Sequence, residues 1–220
     1  QSLWAWAVFF IMTYIYGNYT KFTPFMKKVW LHHSKANGSS LRRLLKTIVL
    51  VGMMGAGKTA VGLQLAKMLG VSFLDSDDEI MNAAQRSIAE IFERDGEEFF
   101  RARETEVLRR LFVGRPCVLS TGGGAFMSEC NRAIIQEAGI SVWLEADLPT
   151  LWSRVRNKTT RPLLRTQNPY ATLKSIYELR EPTYRLAALS VKCGPDLTVE
   201  DMAKKVCIEL RHQDNLFEKG

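Results

Sequence analysis

Histidine and paired cysteine motifs are nearly absent from this sequence of 220 residues. Its three histidines, His32, His33 and His212, lie outside the part with regular strand and helix patterns. Their position excludes a His-based catalytic triad and a His-ligated zinc ion from that part. The four cysteines are scattered and form no C-x-x-C motif; they are Cys117, Cys130, Cys193 and Cys207. We interpret them as ordinary buried thiols of a protein in the reducing cytoplasm.

Acidic residues are missing from residues 1–46, which hold seven of the 30 lysines and arginines. The rest of the chain has 23 basic and 23 acidic residues, so the net charge of +7 belongs to the N-terminal segment. Because the remaining part is neutral, it does not need a polyanionic partner. We therefore expect no nucleic-acid partner, and any basic patch in the folded part should bind a small anion.

Charge is also missing from residues 1–20, and residues 3–16 are almost wholly apolar and aromatic. This apolar run is shorter than the about 20 residues that a membrane-spanning helix needs. The chain begins with Gln1, and Met26, followed by two lysines, resembles a more ordinary start. We favour an incidental leader over a membrane anchor. Residues 1–46, with a flexible linker at 37–40, are expected to lie outside a domain of residues 47–220.

The strongest motif follows the apolar run of residues 47–51. Residues 52–59 match the pattern G-x-x-x-x-G-K-S/T. In a strand, loop and helix of this kind, backbone N–H groups surround a polyphosphate, the lysine reaches its outer phosphates and the hydroxyl ligates Mg²⁺. The positive end of the following helix adds to the attraction. The motif predicts nucleotide binding by Gly55, Ala56, Gly57, Lys58, Thr59 and Ala60.

From residue 47 onward, short apolar strands alternate with amphipathic helices. The predicted strands are residues 47–52, 72–74, 117–120, 140–145 and 189–193. Helix starts are predicted at Ser87, Ser128, Asp147 and Thr198, and Gly96 is predicted to end a helix. This alternation is typical of an α/β fold in which helices cover both faces of a parallel sheet, with ligands at the carboxyl ends of the strands.

Two aspartates, Asp75 and Asp77, follow the second predicted strand. On an extended segment, residues spaced by two point to the same side, here that of the phosphate loop. The alternative is that both only cap the helix of residues 78–84. The third strand lacks the aspartate of a Walker B motif, so Mg²⁺ needs another carboxylate, and Asp75 is the nearest candidate.

Two further segments look suited to an anionic ligand. Three consecutive glycines follow the third strand, where a ligand can approach the backbone, although a tight turn is the alternative; they are Gly122, Gly123 and Gly124. Residues 154–162 bring four cations together, which favours a lid that closes over ATP rather than a solvated loop. Arg101, with Glu98 and Glu104 three residues to either side, would alone indicate a surface ion pair.

Six motifs occur in order along residues 47–210. They are the phosphate loop, D-x-D at Asp75, G-E-x-x-F-R-x-x-E ending at Glu104, the triple glycine, R-P-L-L from Arg161, and R-x-P-x-Y from Arg180 to Tyr184. Many enzymes share the phosphate loop, but the combination is specific and resembles shikimate kinase. The resemblance implies the fold of nucleoside monophosphate kinases, a three-layer sandwich with a five-stranded parallel sheet and a mobile lid at about residues 154–168.

The resemblance also implies the reaction and the roles of residues. ATP would phosphorylate the 3-hydroxyl of shikimate, giving 3-phosphoshikimate and ADP in the biosynthesis of aromatic amino acids. The implied catalytic residues are Lys58, Asp77 and Arg161, of which Arg161 also binds ATP. The implied substrate-binding residues are Asp77, Arg101, Gly122, Gly123, Gly124 and Arg180. The implied Mg²⁺ ligands are Thr59 and Asp75. The two guanidinium groups match a carboxylate, and Asp77 would orient or deprotonate the attacking hydroxyl.

Two other functions compete with this assignment. Another small-molecule kinase with a phosphate loop, acting on gluconate or a nucleoside monophosphate, would not need two arginines that converge on one carboxylate. A nucleotide-binding regulatory module would not need the complete set of Lys58, Thr59, Asp75, Asp77 and Arg161. We expect a cytoplasmic enzyme, and a monomer, with shikimate as its partner.

Overall fold

The computed structural model describes residues 43–158, 162–194 and 196–218. The apolar run of residues 3–16, the linker at 37–40 and Arg161 lie outside the described residues. Within them, no helix has both the length and the apolar character needed to cross a membrane.

A five-stranded parallel sheet forms the centre of the fold. The strands are β1 (Thr47–Val51), β2 (Phe73–Asp75), β3 (Val118–Ser120), β4 (Gly139–Ala146) and β5 (Leu189–Cys193). Their order in the sheet is β2-β3-β1-β4-β5, with all neighbours parallel. Every residue of β1 is buried, as expected for a central strand covered on both faces. The predicted strands agree with the observed ones to within one residue at each end, which confirms the predicted sheet.

Seven α-helices are present in the described part of the chain. They are α1 (Lys58–Leu69), α2 (Ser76–Ala84), α3 (Ile88–Phe112), α4 (Glu129–Ala138), α5 (Leu148–Val155), α6 (Pro169–Tyr184) and α7 (Val199–Arg211). Short 3₁₀ turns lie at Ala125–Met127 and Pro162–Leu164. The connections from β1 to β2 and from β3 to β4 run in opposite directions, which places their helices on opposite faces of the sheet. The result is the predicted three-layer sandwich.

Local capping signals fix the helix starts that the sequence predicts. Ser87 and Thr198 each form a capping box with the residue three positions later. Ser128 and Asp147 accept a hydrogen bond from the backbone N–H three residues on. The prediction that Gly96 ends a helix is confirmed: with φ 83° and ψ 173° it is non-helical, and it divides α3 into two helical parts at a kink. Such a conformation is essentially restricted to glycine.

The two ends of the described fold lie side by side. Leu44 forms a β-bridge with Phe217 and is buried, with 5% of its surface exposed. The Leu45 N–H donates to the Leu216 carbonyl over 2.9 Å. The folded unit therefore takes in residues just before the domain start that we predict at Thr47.

The order of the strands determines where ligands can bind. The chain leaves β1 toward one edge of the sheet and leaves the neighbouring β3 toward the other edge. Ligands of open α/β sheets bind at such a switch point, outside the carboxyl ends of the strands. The phosphate loop after β1, the aspartates at the end of β2 and the glycines after β3 all lie at the carboxyl ends of the strands.

Candidate active site

The phosphate loop lines a cavity of about 490 Å³ at the carboxyl edge of the sheet. Gly57 is the N-cap of α1 with φ 96°, a conformation that a side chain would strain. The Lys58 ammonium folds back over the loop and donates to the carbonyls of Gly52 and Met53, over 2.8 and 3.1 Å. The loop, the lysine and the N-terminus of α1 thus present positive charge and N–H groups to one anion site. All six residues predicted to bind nucleotide line this cavity: Gly55, Ala56, Gly57, Lys58, Thr59 and Ala60.

Thr59 and Asp75 form a pair of oxygen groups in the same cavity. The Thr59 hydroxyl donates to Asp75 Oδ2 over 3.2 Å. Asp75 Oδ1 accepts from the Asp77 N–H over 3.0 Å, so Asp75 also caps α2, as the structural alternative suggests. In the described part of the chain no group of three or more acidic, His or Cys side chains could hold a metal ion. A hydroxyl and one carboxylate still fit Mg²⁺, which takes its other ligands from water and substrate phosphates.

The three glycines each face a different predicted substrate-binding side chain. A Cβ built on Gly122 would lie 2.6 Å from Asp77 Oδ1, and one on Gly124 would lie 2.6 Å from Arg101 Nη2. A Cβ built on Gly123 would lie 3.4 Å from Arg180 Nη1 and 3.8 Å from the Met54 backbone nitrogen in the phosphate loop. Any larger residue at position 122 or 124 would collide with these groups. The missing side chains therefore let α2, α3 and α6 bring a carboxylate and two guanidinium groups beside the phosphate loop.

The Asp77 carboxylate is half-buried between charges of both signs. Burial raises the pKa of Asp77 above its usual value, and the charge of Asp75 adds to this, whereas Lys58 and Arg101 lower it. Its Oδ1 atom is buried and has no hydrogen-bond partner among the described residues. An unsatisfied carboxylate oxygen in a cavity is ready to accept a hydrogen bond from a ligand hydroxyl.

Arg101 is held in place from its own helix. Its guanidinium binds Glu97 over 3.1 Å and Glu104 over 3.0 Å. We predicted Glu98 as a neighbour, but Glu97, four residues before Arg101, takes that place. Glu104 is fully buried, with 0% exposure, and burial raises the pKa of its carboxyl while Arg101 lowers it.

Three further residues of the site escaped the sequence analysis as site residues. Glu104 was counted only as part of an ion pair, and Tyr184 only as part of a motif. Tyr184 donates a hydrogen bond to the Gly123 carbonyl over 2.5 Å. Arg154, which we placed in the lid, lies on α5 and donates to the carbonyls of Gly55 and Ala56, over 3.3 Å each. No local pattern shows these contacts, because each joins residues distant in the chain or depends on burial.

Comparisons with known proteins agree with this geometry. The family model for shikimate kinase matches residues 54–211. A shikimate kinase from Cereibacter sphaeroides is 60% identical over 178 residues, covering 81% of this chain and 89% of that protein. One from Ruegeria pomeroyi is 55% identical over 193 residues, covering 88% of this chain and 99% of that protein.

Solved structures lead to the same family. The shikimate kinase from Acinetobacter baumannii, determined in complex with shikimate, has a TM-score of 0.73 at 39% identity. The match covers 78% of this chain and 96% of the chain from Acinetobacter baumannii. The enzyme from Aquifex aeolicus has a TM-score of 0.66 at 32% identity, covering 75% of this chain and 96% of its own. With a matching family model, high identity over most of the chain and a shared fold, this chain belongs to the shikimate kinase family.

Proposed function

We propose that this chain transfers the γ-phosphoryl group of ATP to the 3-hydroxyl of shikimate, releasing ADP and 3-phosphoshikimate. The observation that carries the proposal is the meeting of Asp77, Arg180 and Arg101 at three consecutive glycines beside the phosphate loop. A carboxylate that can accept a hydroxyl proton and two cations that can bind an acid suit a hydroxylated ring acid. AMP has no carboxylate, and the family match favours shikimate over gluconate, which is also a hydroxylated acid.

The phosphate loop would bind ATP. The N–H groups of the loop and the start of α1 would surround the β- and γ-phosphates, and Lys58 would exchange its carbonyl partners for phosphate oxygens. Thr59 and Asp75 would hold Mg²⁺, Asp75 through water, and the ion would neutralise charge on the phosphates. Arg161 would join Lys58 in stabilising the transferring phosphoryl group.

Shikimate would lie on the glycine side of the cavity. Arg101, Arg180 and the Gly123 N–H would bind its carboxylate, since guanidinium groups form paired hydrogen bonds with carboxylates. That N–H donates to no other described residue. Asp77 would then accept a hydrogen bond from the attacking hydroxyl and take its proton as the bond to phosphorus forms. Catalysis would come from positioning and charge stabilisation, with no covalent enzyme intermediate.

A panel of acceptors tests the proposal. The purified chain is assayed for ADP release with shikimate, gluconate and AMP, with Lys58→Ala as the blank. We expect turnover of shikimate alone, and Arg101→Ala should raise its KM or abolish turnover. Turnover of gluconate or AMP without shikimate would reject the assignment, and binding of ATP without ADP release would favour a regulatory module. We further expect a monomer in size-exclusion chromatography and a cytoplasmic location.

A further inference from the structure

Side chains from several helices hold the glycine loop in one conformation. Ser76 on α2 accepts a hydrogen bond from the Gly122 N–H over 3.2 Å. On α4, Asn131 and Arg132 donate to backbone carbonyls between residues 125 and 127, over 2.8 to 2.9 Å. The position of the Gly123 N–H is therefore set by contacts made from elements on different sides of the loop.

Tyr184 makes the contact to the central glycine. Its hydroxyl donates to the Gly123 carbonyl over 2.5 Å, and the side chain is buried, with 1% of its surface exposed. The ring stacks on Trp143 of β4, with 6.2 Å between ring centroids and planes 20° apart. Trp143 is itself buried, so the sheet fixes the direction of the Tyr184 ring and hence the position of the hydroxyl.

Arg180 lies close to this hydrogen bond. Arg180 lies four residues earlier on α6, on the same side of the helix. A Cβ built on Gly123 would lie 3.4 Å from the Arg180 Nη1 atom, and the positive charge of Arg180 acts on the Tyr184 hydroxyl. The Tyr184 hydroxyl and the Arg180 guanidinium thus both lie at Gly123, on the side of the proposed carboxylate site.

The Tyr184 hydroxyl stays protonated under all ordinary conditions. Burial raises its pKa to about 12, and the nearby positive charge of Arg180 offsets this only in part. It therefore keeps the proton that it donates to the Gly123 carbonyl. No other described residue donates a hydrogen bond to the Gly123 carbonyl.

We infer that Tyr184 is a positioning residue for substrate binding: its hydroxyl holds the Gly123 backbone, next to the Arg180 guanidinium, in register for the carboxylate of the substrate. The inference rests on the proposed shikimate kinase activity. It differs from a role in core packing, which the Tyr184 ring could fulfil without its hydroxyl. The loss of the hydroxyl should therefore weaken binding of the carboxylate and little else.

Tyr184→Phe tests this inference, because it removes one oxygen atom and keeps the ring. We expect the KM for shikimate to rise about tenfold, with kcat changed less and the KM for ATP unchanged. The decisive comparison uses a shikimate analogue with a CH₂OH group in place of the carboxylate. For this analogue the variant and the unmodified enzyme should have the same KM within about twofold.

Tyr177→Phe is the matched control, since Tyr177 lies on the same helix and its hydroxyl has no hydrogen bond to a described residue. It should leave both KM values unchanged. An equal rise in KM for shikimate and the analogue, an unchanged KM for shikimate, or a Tyr184→Phe variant that does not fold would each overturn the inference. If the unmodified chain does not turn over shikimate, the proposed function itself fails. If the unmodified chain does turn over shikimate and one of these three results is found, only the inference about Tyr184 fails.

Discussion

Glu104 shows how a single buried charge can serve a site at a cost to the fold. Carboxylates are almost never fully buried unless they are paired. Glu104 has 0% exposure, one oxygen bound to Arg101 and a second oxygen with no partner among the described residues. Such an atom destabilises the folded state. The gain is a fixed guanidinium opposite Gly124.

Replacement of Glu104 by glutamine should weaken shikimate binding. The shape is kept, but Arg101 loses its buried negative partner and becomes less well oriented. We expect the KM for shikimate to rise about tenfold, with the KM for ATP unchanged, in steady-state assays. Glu106→Gln is the control, because Glu106 is exposed and pairs with Arg103 away from the site. Equal KM values for the two variants would contradict this role.

Asp77 should show opposite effects on activity and on stability. Asp77→Asn removes the proton acceptor, so we expect kcat to fall at least about a hundredfold. Because the pKa of Asp77 is raised in the folded state, ionisation of this group costs folding energy. The variant should therefore melt higher than the unmodified protein by about 2–5 °C at pH 8.

The pH dependence gives the sign of this effect. Below the pKa of an unfolded aspartate the group is neutral in both states, and the advantage of Asp77→Asn should vanish. It should grow as pH rises through the raised pKa of the folded state and then level off. In parallel, kcat/KM of the unmodified enzyme should fall on the acid side at a higher pH than an ordinary carboxyl group would cause. A Tm difference that is the same at all pH values would exclude this explanation.

At the scale of the elements, helix α5 has a role that the position of Arg154 in the sequence does not indicate. Arg154 belongs to a run of cations, and runs of this kind favour a lid. In the structure it lies one residue before the end of α5 and binds two carbonyls of the phosphate loop. The helix therefore supports the loop from outside, next to the turn at Gly57.

Removal of this support should affect the nucleotide alone. Arg154→Ala should raise the KM for ATP about fivefold to tenfold, because the loop loses two hydrogen bonds that restrict its backbone. The KM for shikimate should stay within about twofold. Arg156→Ala, which removes an exposed cation two residues later, gives the baseline. A change of similar size in both variants would show that only general charge matters.

Elements were predictable where the signal is local. The apolar runs of β1 and β4 and the capping residues Ser87 and Thr198 fix starts and ends through neighbours in sequence. The break at Gly96 was predictable as well, because glycine is a local signal for the end of a helix. The roles of Glu104 and Tyr184 depend on burial and on contacts over long stretches of chain. The family resemblance supplied the pairing of Arg101 with Arg180, which no spacing shows.

At the scale of the whole molecule, we expect the residues before Met26 to be dispensable for catalysis. A chain that begins at Met26 should keep kcat and both KM values and should pellet with membranes to the same extent as the full chain. A chain that begins at Lys46 should lose about 2 kcal/mol of unfolding free energy, because the buried side chain of Leu44 is removed. Chemical denaturation measures this loss. Dependence of kcat on residues 1–25 would contradict the expectation.

The bridge between Leu44 and Phe217 has a consequence for engineering. The Arg43 carbonyl accepts from the Glu218 N–H over 2.9 Å, so a short glycine-serine connector could close the polypeptide into a ring. New termini could then be opened between Gly114 and Arg115, which are both exposed. Such a permutant would carry a fluorophore or a fused reporter between α3 and β3, on a connection that leads directly from the helix of Arg101 to the strand before the glycines.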